Sequence, residues 1–170
     1  MNTLIAILIL FAVTCIPALE LRASIPLGIF GMTEQLNLWV VVLICTIANI
    51  ILGIAVYEIL LPSLEIMRKW RWFEKKIWPH VEHRREKLRP SIEKYGTLGL
   101  ALFIGVPLPG TGAVSGAIGA FLLGLGRRRF YWANALGVII ASLCVTALCL
   151  LIQQGVVADD SWISHLFMKK

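Results

Sequence analysis

Apolar positions along the chain fall into blocks of two lengths. Leu38–Leu61 and Phe130–Ile152 are each long enough for one helix to cross a bilayer, which takes about 20 apolar residues. The first carries Asn49, Tyr57 and Glu58 and is predicted to end at Pro62. The other blocks are broken. Thr3–Ile16 is apolar but short for a span, and Pro17 interrupts it before Glu20-Leu21-Arg22. Ser24-Ile25-Pro26-Leu27-Gly28 and a short apolar run to Met32 follow, closed by Thr33-Glu34-Gln35. Residues 97–126 are apolar and glycine-rich, with Gly105-Val106-Pro107-Leu108-Pro109-Gly110-Thr111-Gly112 at their middle.

The charges decide how these blocks are read. Ten of the sixteen Lys/Arg lie between Arg68 and Lys94, and three more are Arg127–Arg129. Basic flanks stay in the cytoplasm, so residues 63–94 and 127–129 are assigned there. Leu38–Leu61 then runs inward and Phe130–Ile152 outward. The 97–126 segment must enter and leave the membrane on one side, because two full spans need roughly 40 residues. That predicts a re-entrant hairpin, unwound at Pro-Leu-Pro-Gly-Thr-Gly, where irregular backbone is tolerated only inside protein or beside water. Residues 1–36 read as a second hairpin; the alternative is one ordinary span with an extracellular loop holding Glu20 and Arg22.

Composition agrees with a membrane protein: 58% hydrophobic, 15% charged and a mean hydropathy of +0.81, against about 25% charged in soluble domains. The net charge of +6 describes a face against anionic lipid, rather than a nucleic-acid surface. Cys15, Cys45, Cys144 and Cys149 sit inside apolar runs, with neither zinc spacing nor the loops of a disulfide framework. Met1-Asn2-Thr3 lacks the charge of a signal peptide, so the first segment is expected to remain in the mature protein. Ser63–Lys94 places Trp70, Phe73 and Ile77 on one stripe among bases, as an interfacial linker helix would. His80 and His83 are a weak pair for metal, and no metal or cofactor is expected.

The two halves echo each other. Ile25-Pro26-Leu27 with Gly31 matches Val106-Pro107-Leu108 with Gly112, 81 positions on, and Ala48-Asn49 matches Ala133-Asn134, 85 positions on. Each half is read as a hairpin with an Ile/Val-Pro-Leu tip followed by a span. Because the spans run in opposite directions, the repeat is inverted, as in secondary transporters.

The tips hold the candidate chemistry. A charge at the bilayer centre costs about 2.5–3.5 kcal/mol on insertion scales. Glu20 and Arg22 therefore require a pairing or a polar cavity. Arg22 suits an anionic headgroup, and a partly desolvated Glu20 suits proton coupling; a salt bridge fixing the tip is the structural alternative. At the second tip, Gly110, Thr111 and Gly112 offer amides where the returning helix starts, an anion-binding position, with Thr111 as N-cap. Gly112, Gly116 and Ala120 form a packing stripe. Asn49 and Asn134 are expected to hydrogen-bond across helices or to line the cavity.

Glu20-Leu21-Arg22-x-Ser24-Ile25-Pro26-Leu27-Gly28 together with Gly105 to Gly112 resembles the small multidrug export proteins, over nearly the whole chain. The resemblance implies drug efflux. The second half also resembles the DedA family in the order Phe103, Pro109-Gly110, Gly116, Arg127–Arg129, Phe130, Asn134 and Gly137. This implies two facing hairpins and transport of polyprenyl-phosphate lipids or proton-dependent resistance. The arginines that DedA members carry around the Pro-Gly tip are replaced by the neighbourhood of Gly105 and Gly112, which leaves Arg22 and backbone amides to bind a phosphate.

The expectation is an all-α integral membrane protein, DedA-like, in which each re-entrant hairpin precedes a transmembrane helix in an inverted repeat. Its single domain divides into hairpin 1–36, span 38–61, linker 63–94, hairpin 97–126, span 130–152 and tail 153–170. The expected activity is proton-coupled transport of an amphiphile, not catalysis. Glu20 is the coupling site, and Arg22, Pro107, Pro109, Gly110, Thr111, Gly112 and Asn134 contact substrate. An uncoupled lipid-binding or scramblase-like protein is the alternative. Membrane lipids and a second copy of the chain are the expected partners, in the cell (inner) membrane.

Overall fold

The computed structural model describes residues 2–17, 19–32, 35–68, 96–108 and 111–153. The linker aromatics and histidines, Pro109-Gly110 and the tail beyond 153 lie outside the described residues. Among the described residues all regular structure is helical: α1 (Thr3–Thr14), α2 (Glu20–Gly31), α3 (Leu38–Arg68), α4 (Gly96–Gly105), α5 (Ala113–Leu123) and α6 (Arg127–Gln153).

Among the described residues, two helices, α3 and α6, are long and apolar enough to cross a membrane, over Leu38–Ser63 and Arg127–Gln153. At about 1.5 Å per residue the other helices reach no more than roughly 18 Å, against a hydrocarbon core of about 30 Å. The spanning stretches are 28% and 39% buried, too little for core helices of a water-soluble domain. Trp39, Ile59, Trp132 and Leu143 point outward, each more than half exposed. An apolar surface of this extent suits lipid rather than water.

The long helix α3 is central and packs on α1, α2, α5 and α6. Small residues set the close approaches. Ile104 of α4 fills the space over Gly116 of α5 and Gly137 of α6, where added Cβ atoms would lie 2.4 and 2.6 Å from its side chain. Asn134 of α6 lies over Gly53 of α3 and donates to the Ile50 carbonyl at 3.1 Å. Near the end of that span, the Tyr57 hydroxyl donates to the Leu125 carbonyl, and its ring stacks on Phe130 at 4.3 Å. Glu58 accepts from Arg127 at 3.0 Å and from Tyr131 at 2.5 Å.

Two sequence expectations are corrected. The helix α3 does not end at Pro62 but continues to Arg68. Likewise Ile25-Pro26-Leu27 is not a tip: Pro26 lies inside α2, and the first chain break falls earlier, between Thr14 and Glu20. A proline removes one amide from the helical ladder, but neighbouring helices and side chains supply alternatives inside a membrane protein. The carbonyls left without a helical amide are those of Arg22 and Glu58, and both helices continue past them; close by, Ser24 donates to the Glu20 carbonyl at 2.9 Å and Ser63 to the Leu60 carbonyl at 2.7 Å. The motif Val106-Pro107-Leu108 does lie in a break, so the two tripeptides occupy different structural positions.

Candidate functional site

The starts of α2 and α5 approach each other, and Glu20 joins them. Its carboxylate accepts from the Ala113 amide at 3.1 Å, the Val114 amide at 3.2 Å and Asn49 Nδ2 at 3.4 Å. The first amides of a helix lack intrahelical partners and carry partial positive charge. Glu20 satisfies two of them on α5 while standing in the first turn of α2, so one carboxylate ties the two helix starts together. That accounts for a carboxylate only 7% exposed among apolar neighbours.

The local backbone is built for this contact. Glu20 has φ 43, a left-handed conformation that costs a non-glycine residue of order 1–3 kcal/mol. Gly112 has φ 142, and a Cβ there would lie 2.3 Å from Glu20 Oε2. A side chain at 112 and the carboxylate cannot share that space.

Arg22 points elsewhere. Two positions along a helix do not share a face, and among the described residues no ion pair joins Glu20 to Arg22, in place of the salt bridge weighed from sequence. The guanidinium instead donates to the Thr111 carbonyl and to Thr111 Oγ1, the latter at 2.7 Å. Thr111 is not the N-cap: Gly112 holds that position without a side-chain bond, and Glu20 supplies the capping acceptor from another helix. The Thr111 hydroxyl closes the turn, within 2.5 Å of the Val106 carbonyl and 2.8 Å of the Leu108 carbonyl.

Glu20, Arg22, Asn49, Pro107 and Gly112 line a cavity, closed by Leu21, Ile104, Ala141 and Val145. It leaves about 10 Å³ for a water-sized sphere, room for about one water. Asn49 is 2% exposed, and among the described residues its Oδ1 has no hydrogen-bond partner. An orphaned acceptor at this depth is costly and calls for a donor.

The sequence-predicted set thus divides. Glu20, Arg22, Pro107, Thr111 and Gly112 come together; Pro109 and Gly110 lie outside the described residues; Asn134 sits apart, between α3 and α6. Asn49 belongs at the site, and the signal for it was its place as the polar residue nearest the middle of the first span. Val106 and Leu108, 43% and 57% exposed, give the second break an apolar rim beside these charges. Among the described residues no cluster of His, Cys, Asp and Glu is suited to a metal.

No curated protein and no solved structure shows a significant match to the chain. The family profile described as "Putative small multi-drug export protein" matches residues 20–144, from Glu20 at the head of α2 into the second half of α6, and the chain belongs to that family of membrane export proteins.

Proposed function

We propose that the protein is a proton-coupled exporter of amphiphiles whose site lies where the starts of α2 and α5 meet. The observation that carries this reading is the buried Glu20 carboxylate, bridging α2, α3 and α5 beside Arg22. A titratable group that ties three helices together couples its own charge to their arrangement, since neutralising it weakens each bond it accepts. The apolar rim at Val106 and Leu108 supports an amphiphile entering from the bilayer, with its polar end toward Arg22.

The short helices support a topology in two re-entrant pairs, α1–α2 and α4–α5, each followed by a span, in the cell membrane. Neither member of a pair is long enough to cross alone, and broken helices meeting near the midplane are a transporter arrangement. The DedA-like inverted repeat is part of the same proposal. Its equivalent breaks are residues 15–19 and 106–112, rather than the two Pro-Leu motifs.

The test uses proteoliposomes with an imposed pH gradient, a cationic fluorescent amphiphile and a short-chain fluorescent phosphatidylglycerol. Wild-type protein moves one of them against its gradient, and Glu20→Gln abolishes that movement while still eluting as a folded protein. Retained coupling in Glu20→Gln overturns the proton role and leaves an uncoupled, scramblase-like activity.

A further inference from the structure

The seam between α3 and α6 carries polar groups that the site at Glu20 does not use. Asn49, Gly53 and Tyr57 are four residues apart on the buried face of α3, and Asn134 and Phe130 of α6 lie against Gly53 and Tyr57. We propose that this seam is the route between the site and the cytoplasm, with Tyr57 on Phe130 as its plug and Glu58 on Arg127 and Tyr131 as its latch, and that the structure is the inward-closed state. The proposal rests on the transport reading above and says where that transporter opens.

Depth places the closure. Asn49 comes ten residues after Trp39 and nine before Glu58, about 15 Å and about 14 Å along the helix axis. Trp39 is 70% exposed and Trp132, beside Tyr131, is 62% exposed, as aromatic residues at the two faces of a bilayer are. On this register the site is at mid-membrane, and the Glu58 cluster is at the face that carries Arg127–Arg129, the cytoplasmic one by charge. An exporter takes its cargo from that side, so a path from Asn49 past Gly53 and Tyr57 has to open and shut.

Two observations support a seam that opens. Asn134 is fully buried, its Oδ1 lies 2.5 Å from where a Cβ on Gly53 would be, and among the described residues that oxygen has no hydrogen-bond partner. Asn49 Oδ1 is in the same condition. Two stranded acceptors raise the free energy of the dry arrangement, and water entering between the helices satisfies both. The second observation is the make-up of the closure. The Tyr57 hydroxyl donates to the Leu125 carbonyl in the turn between α5 and α6, and its ring lies 4.3 Å from Phe130, both rings buried. Outside them Glu58 accepts from Arg127 at 3.0 Å and from Tyr131 at 2.5 Å. An exposed ion pair adds little to the stability of a fold, but a small difference is enough to bias two states of similar free energy. All these contacts join α3 to the α5–α6 turn or the start of α6, so separating those ends releases them together.

The experiment asks whether the seam wets from the cytoplasm. Asn134→Cys, in a background whose four native cysteines are alanine, is treated with a membrane-impermeant maleimide in inverted and in right-side-out vesicles. It should react slowly, and from the cytoplasmic face alone. Tyr57→Phe, which removes one hydrogen bond from the closed state, should speed labelling about fivefold to thirtyfold, and Glu58→Gln by up to about fivefold, with both variants still eluting as folded protein. A second measurement keeps Asn134 and bridges Glu58→Cys to Tyr131→Cys with a reducible bifunctional methanethiosulfonate. The bridge should stop movement of the cationic amphiphile or phosphatidylglycerol of the transport assay, and reductant should restore it. Labelling at position 134 from the outer face, labelling from neither face, or variants that label no faster than the parent overturns the gate. Transport that continues across the bridged pair also overturns it, while the exporter reading stands. Cytoplasmic labelling that follows the gate in a protein that moves neither probe supports the opening seam and counts against the exporter reading instead.

Discussion

Replacing Gly112 by alanine tests the geometry at the centre of the site. The added Cβ would lie 2.3 Å from Glu20 Oε2, 2.9 Å from Cδ and 3.0 Å from Oε1. Backing away to an ordinary contact takes the carboxylate about 1 Å, which stretches the 3.1 and 3.2 Å bonds from Ala113 and Val114 beyond hydrogen-bond range. Two bonds to a charged group are worth about 3–6 kcal/mol together, part of which a water in the cavity restores. The φ of 142 adds about 1–3 kcal/mol for any residue but glycine. The net expectation is a loss of roughly 3–6 kcal/mol, or of order 10 °C in melting temperature at about 2–4 °C per kcal/mol. Gly119→Ala is the matched control: it lies in α5 with nothing within 4 Å of its Cβ, and should gain up to about 1 kcal/mol from helix propensity. The assay is thermal unfolding in detergent followed by size-exclusion chromatography. A Gly112→Ala protein that melts with the wild type would refute the placement of Glu20 on the α5 start, and with it the proposed role of that carboxylate.

Ile104→Ala should cost about 2–4 kcal/mol in the same assay, because the side chain fills the space over Gly116 and Gly137 and is 1% exposed; a loss under about 1 kcal/mol would mean that α4 packs elsewhere. Tyr57→Phe should lose about 1–2 kcal/mol by stranding the buried Leu125 carbonyl. Glu58→Gln should change stability by less than about 1 kcal/mol, its ion pair with Arg127 being 37% and 64% exposed and screened; the reverse ranking of these two variants would contradict the structure. For topology, Thr97→Cys and Gly126→Cys, in a background whose four cysteines are alanine, should label from the same side with a membrane-impermeant maleimide. Gly126 is preferred to its neighbour Leu125, which is 3% exposed. Labelling from opposite sides would sink the re-entrant arrangement of α4–α5.

Block length and charge determined a great deal from the sequence alone. The two spans follow from the only apolar runs of sufficient length, and the breaks around Pro17 and Pro107 fall where proline and glycine interrupt the shorter runs. Glu20, Arg22, Thr111 and Gly112 stood out because charge and glycine are expensive or purposeful in apolar surroundings. What tertiary structure decided was which group meets which. The α5 amides that sequence offered to a ligand are held by Glu20, 93 positions away, and Arg22 binds Thr111 rather than Glu20. Local pattern places residues on a helix; it does not say which partner a long-range approach delivers. The Pro-Leu echo misled for the same reason: whether a proline ends a helix depends on what else satisfies the freed carbonyl, and in α2 and α3 the surrounding fold allows the helix to continue. Asn49 shows the limit most directly. Its polar side chain in the first span was visible in the sequence, but its two roles, one nitrogen on Glu20 and one oxygen without a partner among the described residues, exist only because α2 and α5 meet beside it.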